Sequence, residues 1–254
     1  MLSSFQTDKL NTRVYSTRKE MGIAAAGDVA AKIHNLMVYQ YEVNMIFAAA
    51  PSQNEFLEAL CAEKDINWQR INAFHMDEYI GLPNEAPQKF GNFLKKRIFD
   101  KLPFQTVNYI NGNQPPEEEC VRYAALLQQH PADIVCMGIG ENAHIAFNDP
   151  HVARFDDPVL VKVVDLDEKC RTQQVNDGCF ASIDEVPTHA LTLTVPALMN
   201  GRYLYCMVPA QTKAWAVYHT LHDPISEAIP ATCLRKHGNA ILYTDVDSAK
   251  MLNI

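Results

Sequence analysis

A chain of 254 residues can bury a sizeable core, because the buried fraction rises with size. Its 48% apolar and 20% charged residues are a globular balance, and its formal net charge of −8 comes without any Lys/Arg-rich run, which argues against a nucleic-acid or anionic-membrane partner. Seven scattered cysteines without C-x-x-C spacing read as free thiols of a reducing compartment. There is no signal-peptide core and no apolar run near the ~20 residues of a membrane span, so the expected setting is cytoplasmic.

Thr17 and Glu20 form a capping-box pattern ahead of "MGIAAAGDVAAKIHNLM", a helix expected to bury Ile23, Ala26, Ala30, Ile33 and Met37. "VNMIFAAA" reads as a buried parallel strand and "SQNEFLEALCAEK" as the helix after it. "INAFHMD" is a second strand, "QKFGNFLKKRIFDKL" a helix, "VNYIN" a third strand and "PEEECVRYAALLQQH" a helix with its acids at the N-terminus. "ADIVCMGIG" is a fourth strand, and "VLVKVVDLD", "ALTLTVPALM" and "RYLYCMVP" are further strand candidates. "AQTKAWAVYHTLHD" reads as a helix and "AILYTDVD" as the last strand. This alternation predicts one α/β domain over residues 1–254, Rossmann-like, with a mostly parallel sheet and helices on both faces. Ligands of such sheets bind outside the carboxyl ends of the strands.

Three strand ends carry chemistry. Ser52 and Gln53 follow "VNMIFAAA" at a helix start, where backbone N–H groups favour an anion; an ordinary N-cap role for Ser52 stands beside that reading. Asp77 and Glu78 follow "INAFHM"; they are solvated turn acids or, if one lies in an apolar cleft, a base of raised pKa. After "ADIVCMGIG", Gly138 and Gly140 permit a sharp turn, and His144 can move a proton in either direction near neutrality. Asp149 is placed to orient its ring. A histidine, strand-end carboxylates and an anion loop on one sheet edge point to proton transfer rather than to a buried structural histidine.

"FHMDEYIGLP" (74–83) and "MGIGENAHIAFNDP" (137–150) resemble the two signature segments of the glucosamine-6-phosphate deaminase (isomerising) family, and "VPAQTKAWAV" resembles its segment with a phosphate-binding lysine. The resemblance implies roles residue by residue. Asp77 is the base that moves a proton between C2 and C1, and His144 assists ring opening, flanked by Asn142 and Asp149. Ser52, with Gln53 and Gly138 beside it, and Lys213 take the sugar phosphate, and Arg171 stands nearest the place of a second phosphate-binding arginine. The reaction implied isomerises an amino-sugar phosphate and releases ammonia, and needs no cofactor.

The chain departs from that pattern in places. Its first loop, "AAAPSQN", lacks the family's glycines; Asn142 and Asp149 stand where an aspartate and a glutamate are more usual; Ala143 replaces a glycine; and Cys179 sits where the arginine is sought. The altered first loop keeps galactosamine 6-phosphate and a 6-phosphogluconolactonase-type hydrolysis as alternatives; a non-catalytic sugar-phosphate sensor of similar fold is a further one, against which Asp77 and His144 together argue. The remaining histidines, including His75, show no metal-ligand spacing. The partner expected is a small sugar phosphate, with self-association left open.

Overall fold

In the computed structural model, which describes residues 1–253, the chain opens with an antiparallel hairpin of β1 (Ser3–Thr7) and β2 (Leu10–Tyr15). Sequence reasoning placed the first strand near residue 43. The hairpin escaped it because β1 alternates half-buried and exposed residues and shows no apolar run. Helix α1 (Arg18–Tyr39) follows, with Thr17 Oγ1 accepting from Glu20 N at 3.1 Å. Of the face expected to be buried, Ala26, Ala30 and Ile33 are buried and Met37 is half-buried. Ile23 is exposed, whereas Met21, Gly22, Ala25 and Val29 are buried. A Cβ on Gly22 would lie 2.8 Å from main-chain atoms of Glu55 and Phe56, so this arc packs directly on the next helix.

The sheet then builds from β3 (Val43–Phe47), α2 (Asn54–Ala62), β4 (Ile71–His75), β5 (Asp77–Tyr79) and α3 (Phe90–Leu94), which runs on through a wider turn at Lys95–Phe99. Next come β6 (Thr106–Asn108), shorter than expected, α4 (Pro116–Gln129), β7 (Ile134–Met137), β8 (Val161–Asp165), α5 (Glu168–Asn176) and β9 (His189–Leu193). The chain closes with α6 (Val195–Met199), β10 (Tyr203–Val208), α7 (Ala214–His222) and β11 (Ala240–Asp245). "ALTLTVPALM", expected as one strand, is therefore strand then helix. Thr194 Oγ1 accepts from Ala197 N, and Pro196 lies in the first turn, where its missing N–H is not needed.

Eight strands form the main sheet in the order β1-β2-β11-β10-β7-β3-β4-β6, parallel from β2 to β6. Alternate residues of its strands feed two apolar clusters. Ile134 and Cys136 pack with α1, α2 and α3, and Val135 and Met137 with α4, α6 and α7. The expected mostly parallel sheet with helices on both faces is what forms.

A second sheet, β5-β9-β8, is antiparallel. Two segments expected in the main sheet, 161–165 and 189–193, belong to it. The chain crosses from one sheet to the other at Met76, between His75 on β4 and Asp77 on β5. Among the described residues no helix is long and apolar enough to cross a membrane.

Candidate active site

β10, β7, β3 and β4 are sheet neighbours, and the loops after their carboxyl ends surround one narrow cleft with a cavity of about 60 Å³. Asp77, His144, Ser52, Gln53, Gly138 and Lys213 all line it, as sequence reasoning expected. Gln173 and Gln174 of α5 close one side.

His144 is buried, and its Nδ1 lies 2.7 Å from Asn142 Oδ1 and 3.0 Å from Asp149 Oδ1. Both neighbours are acceptors, so Nδ1 carries the proton and Nε2 is left as the basic nitrogen in the cleft. Asn142 Oδ1 also accepts His144 N at 3.1 Å, while its Nδ2 donates to Asp149 Oδ1 (3.0 Å) and Asp167 Oδ2 (3.3 Å). One neutral amide thus ties the ring, its carboxylate and the start of α5 together. Burial would raise the Asp149 pKa, but attraction to the imidazolium when His144 is protonated, and the bonds from His144 and Asn142, hold it below the ordinary range. Its shorter side chain reaches the imidazole directly.

Gly140 is needed because a Cβ there would lie 2.1–2.4 Å from ring atoms of His144. Ala143 and Ala146, on either side of the histidine, adopt φ values of 65° and 48°. Such left-handed backbone costs an alanine about 1 kcal/mol, and the loop is held in it by Phe147 N donating to Thr192 Oγ1 (3.1 Å) and Asn148 Nδ2 donating to Leu193 O (2.8 Å). Thr192 pairs with Asp77 across β5 and β9, so one strand positions both the histidine loop and the acid.

The adjacent carboxylates Asp77 and Glu78 point to different tasks. Glu78 accepts Tyr79 N, Phe90 N and Gly91 N at 2.9–3.1 Å and holds the start of α3; burial still pushes its pKa to about 7. Asp77 lines the cleft, and its carboxylate makes no hydrogen bond among the described residues. Burial, then the charge of Glu78, raises its pKa well above the usual range, which makes it a stronger base when ionised. His75, expected only as a core or surface residue, fixes the Asp77 main chain. Its Nδ1 donates to Asp77 O and its Nε2 accepts Ile110 N, both at 2.9 Å. Complete burial lowers its pKa to about 4, so it stays neutral.

At the other end of the cleft, residues 51–53 form a 3-10 turn ahead of α2, and Ser52 is not that helix's cap. Ser52 Oγ accepts Gln53 Nε2 (3.1 Å), which also donates to Met207 O (3.1 Å). A Cβ on Gly138 would stand 3.0 Å from that nitrogen, so glycine leaves room for the pair. Lys213 is 5% exposed; burial lowers its pKa, against the opposing charges of Asp177 and Glu141.

Arg171 is not brought to the cleft, which corrects the phosphate-binding role expected of it. Its Nη2 donates to Ile183 O (2.6 Å) and Val186 O (3.0 Å), pinning the turn after α5. Gln173 and Gln174, two and three residues further along the helix, face the cleft instead; sequence reasoning missed them because it sought a cation. Ligating atoms of His144, Asp149 and Cys170, and of Asp149, His151 and Asp167, lie within 4.8 Å of one another. They are already engaged inside the protein: His144 with Asn142 and Asp149, Asp167 with Cys170 N, and His151 with Asp165.

The family of glucosamine-6-phosphate isomerases/6-phosphogluconolactonase matches residues 16–243. The glucosamine-6-phosphate deaminase of Lysinibacillus sphaericus is 37% identical over 193 residues, which cover 76% of this chain and 85% of that protein. That of Bacillus thuringiensis is 35% identical, covering 73% and 70%. A monomeric glucosamine-6-phosphate deaminase of known structure superposes with a TM-score of 0.86 at 28% identity, over 94% of this chain and 99% of that one. The 6-phosphogluconolactonase of Thermotoga maritima superposes at 0.75 over 92% and 99%; at 19% identity it shows a shared fold alone.

Proposed function

The chain belongs to the family of glucosamine-6-phosphate isomerases and 6-phosphogluconolactonases, and on that footing we propose that it converts glucosamine 6-phosphate and water to fructose 6-phosphate and ammonia. Its relatives at 35–37% identity carry that activity in their names. The observation that carries the reading is the presence of two separate proton-handling groups in one cleft, His144 with a free Nε2 and Asp77 with a raised pKa. Lactone hydrolysis needs a base for water but no second base to move a proton between carbons, so Asp77 favours the deaminase over the hydrolase.

The residues divide the chemistry as follows. Neutral His144 takes the proton of the anomeric hydroxyl at Nε2 and returns it to the ring oxygen, opening the sugar to its aldehyde. Asn142 and Asp149 hold the Nδ1–H and stabilise the imidazolium while the proton is on loan. Ionised Asp77 removes the C2 proton and delivers it to C1 through an enolamine, leaving an iminium at C2. Water adds there, and the C–N bond breaks to give the ketose phosphate and ammonia. Ser52, Gln53 and Lys213 hold the phosphate, whose remote binding energy fixes C1 and C2 against the two catalytic groups. The seven free cysteines fit a reducing, cytoplasmic setting for such an amino-sugar catabolic step.

The test is release of ammonia and fructose 6-phosphate from glucosamine 6-phosphate, run beside galactosamine 6-phosphate and 6-phosphogluconolactone. Asp77→Asn is expected to abolish turnover in a folded protein. No ammonia above an enzyme-free control, or turnover of the lactone alone, refutes the assignment.

A further inference from the structure

The cleft contains a polar group that neither the catalytic pair nor Ser52, Gln53 and Lys213 account for. Gln174 is 8% exposed and lines the cleft, yet its side-chain amide makes no hydrogen bond among the described residues. Its neighbour Gln173 is engaged at both ends of its amide: Oε1 accepts Glu141 N at 2.8 Å and Nε2 donates to Asp177 Oδ2 at 3.3 Å. An amide that opens onto the cleft without an internal partner is free to bond a ligand there. Lys213 shares that condition, being nine-tenths buried in the same cleft with no bonded partner among the described residues. The charges that act on it belong to Asp177 and Glu141, the residues that Gln173 binds, so the ammonium faces the same side of the cleft as α5.

We infer that Gln174 is a substrate-binding residue, donating its amide N–H groups to the phosphate that Lys213 neutralises, so that this chain grips its anion with one cation and an amide instead of two cations. The inference rests on the ligand being a sugar phosphate. Lys213 is the only lysine or arginine lining the cleft among the described residues, and Arg171 on the same helix is turned to main-chain carbonyls. The helix is a firm carrier for the amide. Asp167 Oδ1 accepts Cys170 N (2.6 Å) at its start, and Asp167 is itself bound by Asn142. Gln174 is therefore set in register with His144 through Asn142.

The experiment measures inorganic phosphate and fructose 6-phosphate affinity by calorimetry, and KM and kcat for ammonia release, in wild type, Gln174→Ala and the isosteric Gln174→Glu. Gln174→Ala is expected to weaken both ligands by about 10-fold and to raise KM in larger proportion than it lowers kcat. Gln174→Glu, placing an acid against the anion, is expected to weaken them further while the thermal midpoint stays near wild type. A purely packing role would leave Gln174→Glu with wild-type affinity, and that result overturns the inference while the deaminase assignment stands. Phosphate affinity that responds to Gln174 in a protein releasing no ammonia upholds the inference and removes the assignment. If Gln174→Ala does not fold, Gln174→Glu alone decides.

Discussion

Gly140→Ala tests the histidine assembly with the smallest perturbation available. The added methyl carbon would lie 2.1 Å from His144 Cε1, 2.3 Å from Nε2 and 2.4 Å from Nδ1, where ordinary contact begins at 3.4 Å. The ring must retreat by roughly 1 Å, and a displacement of that size at a reacting group costs about 100-fold in rate. The retreat also breaks the 2.7 Å and 3.0 Å contacts of Nδ1 with Asn142 and Asp149, because both partners are held from behind. Overpacking costs about 1–3 kcal/mol of stability, which leaves a measurable folded protein. Ammonia release at saturating glucosamine 6-phosphate should fall about 100-fold, with KM little changed because the phosphate end is untouched. Gly238→Ala, with nothing within 4 Å of the new Cβ, is the control and should match wild type. A Gly140→Ala enzyme with kcat within about threefold of wild type would refute the claim that ring position limits the rate.

Other outcomes follow from the same geometry. Lys213→Ala removes a charge-assisted contact and is expected to raise KM by about 10- to 100-fold in steady-state assays. Arg171→Ala should lower the urea midpoint by an amount equivalent to about 1–3 kcal/mol, through loss of its bonds to Ile183 O and Val186 O, with phosphate affinity unaltered. His75 remains neutral in the fold down to about pH 4, against an ordinary value of 6.5. The unfolded chain therefore binds more protons between those values, so this contribution to stability is complete above pH 6.5 and is lost as pH falls through 4. The contribution is about 3 kcal/mol. Urea titrations at pH 7 and 4.5 should show His75→Gln less stable at neutrality but losing less on acidification, and an equal loss in both proteins would contradict this.

Features legible in the sequence were those written locally. "VNMIFAAA" and "ADIVCMGIG" are continuous apolar runs because parallel strands are covered on both faces, and the residues just beyond them mark the sheet edge. That logic brought Ser52, Asp77 and His144 to one cleft. What depended on docking was not legible. The step from β4 to β5 at Met76 comes with no glycine or proline, and the acids Asp77 and Glu78 after it read equally as a turn, so nothing local marks the change of sheet. The buried arc of α1 is set by how closely Gly22 meets α2, and an alanine-rich helix offers several arcs of similar apolarity. Which residues of α5 face the substrate is decided by its anchorage to Asn142 through Asp167, a contact across 25 positions of chain. Arginine's charge drew attention to position 171, whereas the helix turns 173 and 174 inward.

The crossing at Met76 also bears on how activity appears during folding. Asp77 belongs to the small antiparallel sheet, while His144 hangs from a strand of the large one, and Thr192 is the point at which the two meet. Chains of this length commonly fold through partly ordered intermediates. An intermediate with the parallel sheet and its helices complete would show nearly the whole far-ultraviolet circular dichroism signal and still be catalytically silent. Turnover on refolding should then lag behind secondary structure, and the length of that lag times the docking of one sheet on the other.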